Sequence, residues 1–147
     1  MIRLPDEAAT EALGAALARV LAPGDAIALY GTLGAGKTTL ARGLLRALGH
    51  EGDVASPTFP IVQAYDPPDT HIPVWHVDLY RIEHPSELDE IGLDEARGEA
   101  ALLIEWPERL PALWADALRL TLAVEPGGAR ALTSQVPPAW GGRWPPR

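Results

Sequence analysis

Apolar residues recur along this chain with two different periods, and each change of period marks an element. Over 6–21, Leu13, Leu17, Val20 and Leu21 form one helical stripe, with Asp6 as its cap and Pro23-Gly24 as its stop. Ala26-Ile27-Ala28-Leu29-Tyr30 is an unbroken apolar run of strand length. Leu40, Leu44, Leu45 and Leu48 return to helical spacing, and Gly49 is placed to end that helix. The stretch 58–65 reads as a strand that Pro60 bends or confines to a sheet edge. Asp66-Pro67-Pro68-Asp69 turns it into a second strand, 74–80, so the two are expected as an antiparallel hairpin. In that second strand Trp75, Val77 and Leu79 face a core. His76, Asp78 and Tyr80 share the opposite, polar face.

Further along, Ser86-Glu87-Leu88-Asp89 resembles a capping box and predicts a short helix ended by Gly92. Ala101-Leu102-Leu103-Ile104 is a buried-type strand that stops at Glu105-Trp106-Pro107. The alternation over 118–124 predicts a strand joined to 130–136 through Pro126-Gly127-Gly128, a second hairpin. The segment 137–147 is rich in proline and glycine and is expected to be a loose tail, in which Trp140 and Trp144 are either disordered or anchors for a partner. No internal repeat is present. The organisation expected is one domain, 1–136, followed by the tail 137–147.

Composition narrows the function. A length of 147 residues with 47% hydrophobic residues suits one soluble globular domain. The absence of cysteine excludes disulfides and thiolate metal sites. No segment reads as a signal peptide or a membrane span, so a cytoplasmic protein without a membrane role is expected. A net charge of −8 argues against a surface given over to nucleic acid, although a local patch drawn from Arg42, Arg46, Arg81, Arg97 and Arg109 stays open.

One lysine stands among the twelve basic residues, and it lies in Gly31-Thr32-Leu33-Gly34-Ala35-Gly36-Lys37-Thr38-Thr39. This is the phosphate-binding loop pattern, set between a strand and a helix as its mechanism requires. The glycines let backbone N–H groups converge on phosphate oxygens, and the helix adds its positive end. Lys37 reaches the β- and γ-phosphates as a compact charge, which the broader arginine fork could not imitate. Thr38 offers its hydroxyl to Mg²⁺. A nucleoside triphosphate with magnesium is the ligand expected.

Three further groups could join this chemistry. Glu105 closes an apolar strand, where a carboxylate can meet magnesium or orient the attacking water. Asp78 lies on the polar strand face, either as a second such acid or as a hydrogen-bond partner of a nearby loop. Ser56-Pro57-Thr58 is either a sensor of the γ-phosphate or a proline-fixed turn. His76 reads as a packed, hydrogen-bonded histidine rather than a ligand, and His50, His71 and His84 lack zinc-site spacing. Asp89-Glu90-Ile91-Gly92 matches D-x-x-G only by letters. With its one lysine at position 37, the chain can hold no N-K-x-D motif, so adenine is preferred to guanine by elimination.

The phosphate loop, Ser56-Pro57-Thr58-Phe59, His76-Val77-Asp78-Leu79-Tyr80-Arg81 and Ile104-Glu105-Trp106-Pro107 together resemble the TsaE (YjeE) family, bacterial ATPases of threonylcarbamoyladenosine synthesis at position 37 of tRNA. The resemblance runs from about Leu4 to Val136. It implies a single α/β P-loop NTPase domain with a mixed central β-sheet flanked by helices. It also implies bound ATP and Mg²⁺, slow hydrolysis, and work alongside TsaD and TsaB, with tRNA met only indirectly through that complex. Carried over by motif, Gly34, Ala35, Gly36, Lys37, Thr38 and Thr39 hold the phosphates. Thr38 and Glu105 attend the metal, and Glu105, Asp78 and Thr58 belong to the catalytic or switch region. Trp106, Thr10 and Arg130 correspond to positions near the nucleotide. Two other readings remain beside this one: a small-molecule kinase on the same loop, and a non-hydrolysing ATP switch.

Overall fold

The computed structural model describes residues 1–55 and 61–146. Its chain opens with β1 (Ile2–Leu4), too short for hydrophobic alternation to reveal. Next, α1 (Glu7–Ala18) starts at the expected cap, where the Asp6 carboxylate accepts the Ala9 backbone N–H at 2.8 Å. The apolar run forms β2 (Ala26–Tyr30), and α2 (Lys37–Ala47) follows the glycine-rich loop with Leu40, Leu44 and Leu45 fully buried. Gly49, at φ 120°, stands just past the end of α2.

The first hairpin is β3 (Val62–Tyr65) and β4 (Val74–Asp78), paired antiparallel as expected, with β3 at the sheet edge. Two short helices follow, α3 (Ser86–Ile91) and α4 (Leu93–Arg97), divided by Gly92 in the left-handed conformation. The capping box does not form. Pro85 is the cap, and Glu87 turns back to accept the backbone N–H groups of Glu83 and His84 at 2.9 and 3.1 Å. The chain ends through β5 (Ala101–Glu105), β6 (Leu118–Val124) and β7 (Arg130–Gln135).

Among the described residues seven strands make one mixed sheet in the order β1-β7-β6-β2-β5-β4-β3. Its centre is parallel, β6 beside β2, β2 beside β5 and β5 beside β4, and such strands are buried on both faces. That corrects the simple division of β4. Its polar face is covered too, with His76 wholly buried and Asp78 nearly so.

On one face of the sheet, α1 and α2 pack over Ile27, Leu29, Leu103 and Leu120. Leu88 and Leu93 pack on the other, with Ile104 and Val77. The two long helices approach closely. A methyl added at Gly14 would lie 2.2 Å from the Leu40 carbonyl oxygen, and one at Gly43 would lie 2.1 Å from that of Glu11. Glu11 reaches Arg42 at 3.4 Å and Arg46 at 3.8 Å along the rim of this contact.

The C-terminal segment is packed rather than loose. Trp140 is 1% exposed, and Arg143 lies 3.9 Å over its ring while gripping Asp25 at 2.6 and 3.1 Å. Proline and glycine content obscured this, because one buried indole docks a segment that has no periodic pattern.

Candidate functional site

The parallel pairing of β2 with β5 sets the ends of these strands side by side, with Leu29 opposite Glu105. From the end of β2 the chain runs into the glycine-rich loop, so that loop rises beside Glu105. At Gly31, φ is 146° and a side chain would meet the Leu122 carbonyl oxygen at 2.7 Å, so only glycine fits. Gly36 caps α2 in the left-handed conformation, φ 109° and ψ 11°, and brings no side chain to the helix end. The first-turn N–H groups of α2, together with its positive end, therefore suit an anion.

Lys37 is the first residue of α2 and is 4% exposed. Its Nζ donates to the Gly31 carbonyl at 2.7 Å and lies 3.8 Å from the centre of the Trp106 ring. Burial pushes its ammonium pKa below the ordinary value, while Glu105, Asp78 and Glu108 pull it back up. A buried ammonium beside a helix N-terminus is well matched to a phosphate group.

The Thr38 hydroxyl donates to Glu105, 3.2 Å from Oε2 and 3.4 Å from Oε1. Glu105 is 2% exposed and also meets His76 Nε2 at 2.6 Å. Beside it, Asp78 is the register partner of Glu105 in β4, and its Oδ1 accepts the Tyr80 backbone N–H at 2.9 Å. Asp78 thus makes the loop hydrogen bond offered as its structural alternative, and still lies at the cleft. A hydroxyl and a carboxylate in contact are hard oxygen donors of the kind magnesium takes. The residues present fit the ion.

Trp106 adopts φ 60°, and among the described residues it alone does so without being glycine. The left-handed turn lays its indole against Lys37 and 4.8 Å from the Tyr80 ring. Across the cleft, Arg130 donates from Nε to the Ala35 carbonyl at 2.9 Å and from Nη2 to that of Gly34 at 3.1 Å, while Nη1 holds Gly128. The guanidinium therefore ties the second hairpin to the phosphate loop through backbone carbonyls. Thr10 is buried in α1, its hydroxyl donating to the Asp6 carbonyl at 3.4 Å.

These groups line a cleft of about 440 Å³ that contains Thr10, Gly34, Gly36, Lys37, Thr38, Thr39, Asp78, Glu105, Trp106 and Arg130. Ala35 is wholly buried behind it. Thr58 lies outside the described residues. Asp6, Glu7, Leu33, Tyr80 and Gly128 also line the cleft, although none was put forward as a site residue. In the sequence Asp6 is only a helix cap and Gly128 only part of a turn. Their place at the cleft depends on where α1 and the β6–β7 turn come to rest, which no local pattern records.

The sequence profile of the family described as threonylcarbamoyl adenosine biosynthesis protein TsaE matches residues 4–132. The tRNA threonylcarbamoyladenosine biosynthesis protein TsaE of Streptomyces coelicolor is 41% identical over 112 residues, 75% of this chain and 76% of that protein. The protein of the same name from Synechocystis is 44% identical over 117 residues, 75% of this chain and 71% of its own length. Among solved structures, the crystal structure of Bacillus subtilis YdiB superposes with a TM-score of 0.75 at 30% identity, covering 97% of this chain and 86% of that one.

Proposed function

This chain belongs to the TsaE family of threonylcarbamoyl adenosine biosynthesis proteins, and from that premise we propose that it is a slow, magnesium-dependent ATPase. It serves the tRNA modification in the cytoplasm as an accessory of TsaD and TsaB. The observation that carries this reading is the Thr38–Glu105 contact beside the buried Lys37, at the start of α2. Family membership alone would bring the chain into the pathway. That contact supports nucleotide chemistry within it.

Gly34, Gly36, Lys37 and Thr39 would hold the phosphates, with Ala35 supplying backbone behind them. Thr38 and Glu105 would hold magnesium, which when bound neutralises charge on the phosphate oxygens. Asp78, beside Glu105, is suited to orienting water, and Thr58 is assigned to the switch near the γ-phosphate. Thr10, Trp106 and Arg130 complete the nucleotide pocket, Trp106 by closing it over Lys37. Because the cleft is open to solvent, the chain alone should turn over slowly. Phosphoryl transfer depends on position and charge stabilisation, and a partner that excludes water strengthens both. ATP then favours the partner-binding shape and hydrolysis releases it. tRNA is reached only through the complex.

The test is to mix the purified chain with TsaB and TsaD and to compare association with ATP, with ADP and without nucleotide, alongside phosphate release. ATP-dependent association with faster turnover in the complex is expected. Equal association in all three states would overturn the switch, and rapid turnover by the chain alone would overturn the accessory role.

A further inference from the structure

His76 is wholly buried on the polar side of β4, and the chemistry above gives it no part. Its Nε2 lies 2.6 Å from Glu105 Oε2. An ionised carboxylate only accepts, so Nε2 carries the hydrogen. The other ring nitrogen, Nδ1, is buried and has no hydrogen-bond partner among the described residues. A hydrogen on Nε2 satisfies the short contact with Glu105.

The engagement of Glu105 is uneven. Oε2 takes His76 at 2.6 Å and the nearer approach of Thr38 at 3.2 Å, whereas Oε1 has the longer Thr38 contact of 3.4 Å. Two neighbouring elements thus fix the carboxylate, β4 through His76 and α2 through Thr38. We propose that His76 is a positioning residue for Glu105. It keeps Oε2 occupied by its Nε2–H and so leaves Oε1 for magnesium or a metal-bound water. This rests on the reading of Glu105 as the magnesium-side acid. Partners of this kind act by orienting the group that touches the metal, and their loss typically lowers metal affinity or activity about 10–100-fold.

His76→Leu removes the donor, and His76→Gln returns an amide N–H at comparable reach. In the leucine variant, turnover at saturating ATP should fall about 10–100-fold. The magnesium concentration for half-maximal turnover should rise, with ATP affinity in the absence of magnesium unchanged. The glutamine variant should recover most of the loss. Wild-type turnover and magnesium dependence in the leucine variant, or equal loss in two folded variants, would overturn the proposal. A nucleotide-free readout is nitrogen NMR of histidine-labelled protein, where Nε2 should carry the hydrogen and respond to Glu105→Gln. Absence of hydrogen from Nε2 would overturn the proposal whatever the activity. Failure of the wild type to bind ATP with magnesium would instead remove the functional reading and this role with it, while the Nε2–H signal would still identify the buried hydrogen bond.

Discussion

Thr38 and Glu105 stand 67 residues apart in the chain, yet the hydroxyl of one donates to the carboxylate of the other at 3.2 Å. One residue comes from the first turn of α2 and the other from the last position of β5. Their meeting follows from the parallel pairing of β2 and β5, since β2 feeds the loop that begins α2. The carboxylate is buried and hydrogen-bonded, so its role can be separated from its charge.

Glu105→Gln should keep nucleotide bound, with affinity changed less than about tenfold, while turnover falls at least about tenfold. Asp78→Asn should follow the same pattern. Calorimetry and phosphate release measure the two effects separately. Lost binding with normal turnover per bound nucleotide would contradict the assignment.

Lys37→Arg should weaken ATP binding by more than about tenfold, or about 1.4 kcal/mol, despite the retained charge. The ammonium fits between the Gly31 carbonyl at 2.7 Å and the Trp106 ring at 3.8 Å. A planar guanidinium is broader than the ammonium and does not fit that gap between carbonyl and ring. Wild-type affinity in this variant would show that charge alone suffices.

The sequence made the phosphate loop legible because its chemistry is local: strand, glycines, lysine and helix are contiguous. Helix α1 is legible through periodicity, β5 through its unbroken apolar run, the hairpins through their turn residues, and Glu105 through its place at a strand end. What escaped were relationships set by strand order. Asp78 is opposite Glu105 only because β4 lies beside β5, and His76 reaches Glu105 for the same reason. The stacking of Trp106 on Lys37 needs a left-handed turn at a tryptophan, a conformation no propensity would favour. Ser86 does not cap α3, because the helix begins one residue earlier: Pro85 is the cap and Ser86 the first helical residue.

Trp140→Ala should destabilise the fold by about 3–5 kcal/mol, the usual loss for a buried aromatic. The indole is 1% exposed and is covered by Arg143, itself anchored on Asp25. Urea unfolding of the variant and the wild type measures this. A difference below about 1 kcal/mol would mean that the C-terminal segment docks without contributing stability.

The backbone N–H groups of His84 and Glu83 hold the Glu87 carboxyl pKa below its ordinary 4.5. Folding therefore favours the ionised form. The contribution is complete above the unfolded value and is lost as pH falls through the lowered folded one. Glu87→Gln should melt slightly below the wild type at neutral pH, and the two melting temperatures should converge in acid. A gap that persists unchanged with pH would assign the effect to shape rather than charge.

The mutual seating of Gly14 and Gly43 has a mechanical consequence. Neither helix has room for even one added carbon at the contact, so α1 and α2 are seated backbone against backbone. Thr10 rides on one limb and Lys37 begins the other, so the spacing of these two cleft residues is locked by the backbone itself. On the opposite side of the cleft, Trp106 meets α2 through its ring on Lys37, and Tyr80 packs on Trp106 rather than being tied in by backbone.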